Sequence, residues 1–136
     1  MTAAGTDLAG EPELDLPGVV AEVRAAFERY ERALVDGDVA VLVELFWDDP
    51  RCLRYGVADR QYGGAAIEAW RRANPSVPPG RRLRDTAVLA LGGDVAVVTT
   101  LFDNPGTGAE GRQSQTWVRL REGWRIVSAH VSEIPA

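Results

Sequence analysis

Gly111-Arg112-Gln113-Ser114-Gln115-Thr116-Trp117-Val118-Arg119-Leu120 and Trp124-Arg125-Ile126-Val127-Ser128-Ala129-His130-Val131-Ser132 read as two strands, joined by Arg121-Glu122-Gly123. The joining residues suit a tight hairpin turn, with Gly123 available for a positive φ. Strand side chains alternate between faces. Regular alternation puts Ile126, Ser128, His130 and Ser132 on one face of the last strand. Val127, Ala129 and Val131 take the other. A polar stripe on such a strand is either solvated surface or the lining of a pocket. In the preceding strand Gln113, Gln115 and Trp117 share a face.

Upstream, β-type pattern extends back to Arg81. Val95 to Phe102 is a β-branched run, and Gly92-Gly93-Asp94 is a hairpin signal before it. Arg81 to Leu91 alternates only in part. Asn104 to Gly108 is a loop. Earlier still the period becomes helical. Val19, Val20, Val23, Ala26, Phe27, Tyr30, Ala33 and Leu34 recur at helical spacing behind Pro17, which suits a first turn. Gly37 ends that helix and Asp38 caps a second, with Val41, Leu42, Leu45 and Phe46 as its buried stripe. Asp48-Asp49-Pro50 breaks it. Arg51 to Val57 is a short strand, Gln61 to Gly64 a turn, and Ala65 to about Ala73 a third helix stopped by Asn74-Pro75. Helices first and an antiparallel meander last predict an α+β domain over residues 17–136. Residues 1–16 are small, polar and acidic, and a flexible tail is expected there.

The chain has 136 residues, 46% of them hydrophobic, enough for one domain with a real core. A net charge of -5 gives nucleic-acid binding no bulk electrostatic support, so no nucleic acid is expected as a partner. No apolar run approaches the roughly 20 residues of a membrane helix, so no membrane association is expected. The single cysteine, Cys52, suits a reducing compartment, and no signal-peptide pattern opens the chain. A cytoplasmic location is the expectation. One histidine and one cysteine make no credible zinc site. Asp36, Asp38, Asp48, Asp49 and Asp94 read as caps and turns without the spacing of a calcium loop. No phosphate-binding motif is present. Neither a metal nor another cofactor is expected.

The element order, and the ending Gly-Trp-Arg-Ile-Val-x-x-His-x-Ser from Gly123 to Ser132, resemble the cone-shaped nuclear transport factor 2-like fold. Ketosteroid isomerases and SnoaL-like cyclases share that architecture. More narrowly, the chain resembles the AtzH-like family, which includes proteins described as oxalurate-catabolism proteins. The matching segments are Val19 to Val23, Phe27 to Glu31, Glu44 to Trp47, Arg54-Tyr55-Gly56-Val57 and Gly111 to Arg119. The resemblance implies three N-terminal helices packed on a curved, mostly antiparallel sheet. It implies cofactor-free, possibly decarboxylating, hydrolysis of a small carboxylated urea or amide, or a helper role beside an amidase. It also implies a first-helix tyrosine and a first-strand arginine as catalytic residues, here Tyr30 and Arg54. Related sequences carry two arginines three residues apart on the third helix. Here Arg71 fills the first position and Asn74 the second.

The residues themselves leave alternatives open. Tyr30 lies on the apolar face of its helix, so its buried hydroxyl needs a partner, either backbone or substrate. Arg54 presents a planar fork that fits a carboxylate, or an acidic neighbour such as Asp49 or Glu44. His130 is either a structural histidine or a proton-exchanging group at near-neutral pH. Gln113 and Gln115 suit a substrate carbonyl or ordinary cross-strand pairing. Trp47 and Trp117 read as packing residues that also wall a pocket. Trp47, Arg71, Gln113, Gln115, Trp117, His130 and Ser132 are therefore the candidate substrate-binding residues. No serine or cysteine lies in a nucleophile motif, which favours direct attack by water. The alternatives are a non-catalytic accessory or binding subunit for an amidase, and a SnoaL-like isomerase or cyclase needing a carboxylate base in a wide apolar pocket. Apolar residues on both faces of Val95 to Leu101 predict a homodimer through the outer face of the sheet.

Overall fold

The computed structural model describes residues 10–136. Helices α1 (Pro17–Asp36) and α2 (Val39–Leu45) precede a short strand pair, β1 (Leu53–Tyr55) and β2 (Arg60–Tyr62). Helix α3 (Gly64–Ala73) follows, then β3 (Arg82–Leu91), β4 (Val95–Asp103), β5 (Glu110–Leu120) and β6 (Gly123–Ile134). The strands form one sheet in the order β2-β1-β6-β5-β4-β3. All neighbours are antiparallel except β1 on β6, which are parallel. The result is α+β, with the helices covering the inner face. Among the described residues no helix is long and apolar enough to cross a membrane.

Local chemistry sets the boundaries. Pro17 stands in the first turn of α1, and Val23, Phe27, Tyr30, Ala33 and Leu34 form its buried stripe. Gly37, at φ 70°, ends α1 in a left-handed cap. The Asp38 carboxylate accepts from the Val41 N–H and starts α2. On α3, Ile67 and Arg71 are one turn apart and both buried. The core is built from Val23, Leu42, Ile67, Val98, Trp117 and Ile126, all at most 1% exposed. The Trp47 N–H donates to the Ile126 carbonyl at 2.9 Å and ties the exit of α2 to the middle of β6.

The sheet departs from regular alternation in β6. Trp117 pairs with Ile126, but Thr116 pairs with Ser128, so Val127 is an extra residue on β6. This β-bulge reverses the facing of everything after it. Before it Trp124 and Ile126 are buried. After it Ala129 is buried, Val131 and Glu133 line a cavity, and His130 is exposed. The single stripe expected from Ile126 to Ser132 is therefore split between faces. His130 stands on the outer face, its ring edge-on to Tyr55 at 5.7 Å, with Tyr62 beyond.

Two further differences concern exposed backbone. Arg60–Tyr62 pairs with β1, although Gln61 and Tyr62 were expected in a turn. Residues 13–15, expected within a flexible tail, lie against β3. The Asp15 N–H donates to Ala90, the Gly92 N–H to Glu13, and the Ala90 N–H to the Asp15 carboxylate. β3 is the edge of the sheet, and its unpaired backbone groups take up this segment. The remainder of that tail, residues 1–9, lies outside the described residues.

Candidate functional site

A cavity of about 160 Å³ lies between the C-terminal half of α1, helix α3 and the end of the sheet farthest from the β5–β6 turn. Three arginines face it: Arg54 from β1, Arg71 from α3 and Arg81 from the segment entering β3. Their partners differ.

Arg54, the middle residue of β1, is 7% exposed. Its Nη1 donates to Asp59 Oδ1 at 2.6 Å and to Gln61 Oε1 at 2.8 Å, while the Gln61 amide donates to the same Asp59 oxygen. The guanidinium lies over the Trp70 ring at 5.5 Å. Asp49 and Glu44, the acidic partners considered from sequence, hold Arg51 and Arg29 instead. Burial pushes the Arg54 pKa down, and the positive charge of Arg71 pushes it further; Tyr30 and Asp59 partly offset both.

Arg81 is closed off. It makes a two-pronged contact with Glu31 of α1 at 3.0 and 3.2 Å, donates to Gln113 Oε1 at 3.1 Å and stacks on Phe102 at 4.0 Å. The Gln113 amide donates to Glu31 at 3.0 Å and closes the ring of contacts.

Arg71 is open. It is 5% exposed, and its Nη2 donates to the Tyr30 hydroxyl at 2.9 Å. Its Nε is buried without a partner, and no carboxylate among the described residues forms an ion pair with it. A buried charge without a counter-ion is costly, so Arg71 is primed for an anion. Because the Tyr30 hydroxyl accepts from Arg71, its own proton remains free to donate. Trp70 Nε1, one residue away, is likewise buried and unpartnered.

The fold thus brings Tyr30, Arg54, Arg71 and Gln113 together and leaves the other candidates elsewhere. Gln115 and Trp117 are 2% and 0% exposed, joined by an indole N–H to amide bond of 3.0 Å in the core. Neither lines the cavity. Trp47 borders a different cavity of about 380 Å³, alongside Glu44, Asp48 and Arg125, and Arg51 stacks on it at 5.0 Å. His130 and Ser132 are turned away from the cavity by the Val127 bulge. Asn74 donates its amide to the Trp70 carbonyl at 3.1 Å, closing the end of α3 rather than extending an anion site.

Glu133, Arg81, Glu31 and Trp70 belong to the site region but escaped the sequence reading. The bulge concealed Glu133, since regular alternation from Ile126 puts it with Val127 and Val131, apart from the polar stripe. Arg81 and Glu31 are 50 positions apart, with no local pattern linking them.

The sequence matches the AtzH-like family model over residues 12–136. The chain belongs to the AtzH-like family. This AtzH-like chain is 48% identical to a cystatin-like fold protein from Burkholderia xenovorans, with 93% of this chain and 99% of that one covered and a TM-score of 0.89. It is also 48% identical to a protein of unknown function from Pectobacterium atrosepticum, with 92% and 99% covered and a TM-score of 0.87. A nuclear transport factor 2-like superfamily protein from Salmonella enterica, 24% identical over 88% of this chain and 92% of that one, shares the fold at a TM-score of 0.66. The fold of the AtzH-like chain is therefore nuclear transport factor 2-like. No curated protein matches the sequence.

Proposed function

We propose that this chain hydrolyses a C–N bond in a small carboxylate-bearing urea or amide. The observation that carries the reading is Arg71: a buried guanidinium, free of any carboxylate among the described residues, holding the Tyr30 hydroxyl at 2.9 Å. Arg71 takes the substrate carboxylate. Arg54 lies beside it and stabilises the negative charge that develops on the carbonyl oxygen as water adds. The water oxygen bonds to the carbonyl carbon, the C–N bond breaks, and Tyr30 donates its proton to the leaving nitrogen. The proton shed by the attacking water passes to solvent, and the tyrosinate regains one from solvent, so that one water is consumed and no net proton is gained or lost by the protein. A carbamic acid product would then lose carbon dioxide.

Cavity size supports this reading over an isomerase. About 160 Å³ is close to the roughly 150 Å³ that accommodates a benzene-sized guest, far below a steroid. Its charged groups, including three arginines, suit a small ion better than an extended apolar ring system.

The test is turnover of ureido acids, carboxylated ureas and oxalurate by purified protein, with ammonia and carbon dioxide both followed. Hydrolysis of at least one substrate, lost in Arg71→Met, is expected. Absence of turnover across the panel overturns the hydrolase reading. Calorimetric binding without turnover would instead identify an accessory subunit for an amidase.

A further inference from the structure

Charge pairing around the cavity leaves two groups over. Arg54 is paired with Asp59 and Arg81 with Glu31. Asp103, also on the cavity wall, is paired with Arg84. Arg71 has no carboxylate, as described. Glu133, brought inward by the Val127 bulge, has no cation among the described residues. It accepts one hydrogen bond, from the Asn104 amide to Oε2 at 2.7 Å, and its other oxygen makes none among the described residues. Arg71 and Glu133 line the same cavity but do not form an ion pair within 4.0 Å. One positive and one negative group therefore face one small space, from α3 and from β6, each without a counter-ion.

We infer that the cavity's occupant is zwitterionic: an amide or ureide with a carboxylate at one end, held by Arg71, and an ammonium at the other, held by Glu133. This rests on the carboxylate site proposed above and narrows its substrate class. An ammonium has three donors and no acceptor, which matches a carboxylate with an unused oxygen. A compact ion of this kind fits the cavity's volume. Asn104 orients Glu133. Its own carbonyl oxygen is fixed by the Gly106 N–H at 2.9 Å, so the amide that holds Glu133 is not free to turn. Glu133 is a specificity residue on this reading, touching the end of the ligand remote from the Arg71 carboxylate.

Glycylglycine and N-acetylglycine test this. Both carry a carboxylate and an amide; only the first has a terminal ammonium. Titration calorimetry on the full chain at low salt should show glycylglycine binding about tenfold tighter, the scale of one charge-assisted hydrogen bond. Glu133→Gln should erase that preference by weakening glycylglycine, without weakening N-acetylglycine, whose carboxylate loses a like-charged neighbour in the same cavity. Arg71→Met should abolish both. Equal wild-type affinities, or equal losses for both ligands in Glu133→Gln, would overturn the inference while leaving the carboxylate site standing. Should the Gln variant fail to fold, the wild-type comparison alone decides. Binding of neither ligand, or binding indifferent to Arg71→Met, would overturn the carboxylate site and the inference with it.

Discussion

Arg71 holds a charge that the fold does not neutralise, which makes it a burden when the cavity is empty. Methionine approximates its stem without the charge. Replacing a poorly compensated buried ion by an apolar side chain is often stabilising, by about 1–4 kcal/mol. Arg71→Met is thus expected to raise the urea midpoint while removing ligand binding; a lower midpoint would make Arg71 a structural residue. Tyr30 separates chemistry from packing differently. Tyr30→Phe keeps the ring, edge-on to Phe46 at 6.0 Å, and removes only the hydroxyl. Loss of one hydrogen bond costs roughly 0.5–1.5 kcal/mol, whereas loss of a proton donor lowers turnover about 100-fold. Steady-state kinetics beside a melting curve should show the second effect, and wild-type turnover would remove Tyr30 from the mechanism. The inward placement of Tyr30 was legible in sequence, because the apolar period of its helix fixes its facing; Arg71 was a candidate only through the family resemblance, and its burial follows from how α3 packs. Arg54 was legible by alternation on a short strand, but its partner Asp59 was not. That pairing depends on how the β1–β2 turn folds back.

Elements carry the next level of specification, and the Val127 bulge is where the sequence reading failed. Nothing in Ile126-Val127-Ser128 marks an insertion. The register is set by pairing with Thr116 and Trp117, a nonlocal choice invisible to period counting. The same nonlocality governs Gly111, which pairs with Phe102 across β4 and β5. A Cβ at Gly111 would fall within the Phe102 ring. Phe102 also carries the stacked Arg81, so Gly111→Ala should displace both, costing about 1–3 kcal/mol as overpacking does. Denaturant unfolding checks this, and an unchanged midpoint would show that the ring moves freely. Between α1 and α2 the tie is Arg29–Glu44 at 2.7 Å. The hydrogen bond from Arg29 holds Glu44 below its ordinary value of 4.5. A carboxylate with a lowered folded pKa adds stability above its unfolded value and loses it as pH falls through the folded one. Both side chains are nearly half exposed, so only a few tenths of a kcal/mol are at stake. The stability gap between wild type and Glu44→Gln should shrink as pH drops below about 4.5. A gap that stays constant into acid would show that the pair contributes nothing.

For the whole molecule, the order of helices and strands was readable because the pattern is helical up to α3, interrupted only by the short strand region after Pro50, and turns to alternation near Arg81. Which end of the sheet opens into a cavity was not readable, since that depends on Glu31, Arg81 and Phe102 meeting across three elements. A chain of net charge -5 nonetheless gathers three arginines at this one opening, two of them near enough that the charge of Arg71 pushes the Arg54 pKa down. Asp59 pairs with Arg54 but nothing anionic among the described residues pairs with Arg71, so the two guanidiniums still repel when the cavity is empty. Occupancy and folding are consequently linked: an anion that enters relieves the repulsion in the native state and has no equivalent site in the unfolded chain. Saturation at about 100 times the dissociation constant would add roughly 2.7 kcal/mol. The melting temperature then serves as a gauge of how full the cavity is, and even an unreactive carboxylate would move it. The protein would be at its least durable when its ligand is scarce, so its lifetime in the cell would follow the supply of the compound it binds.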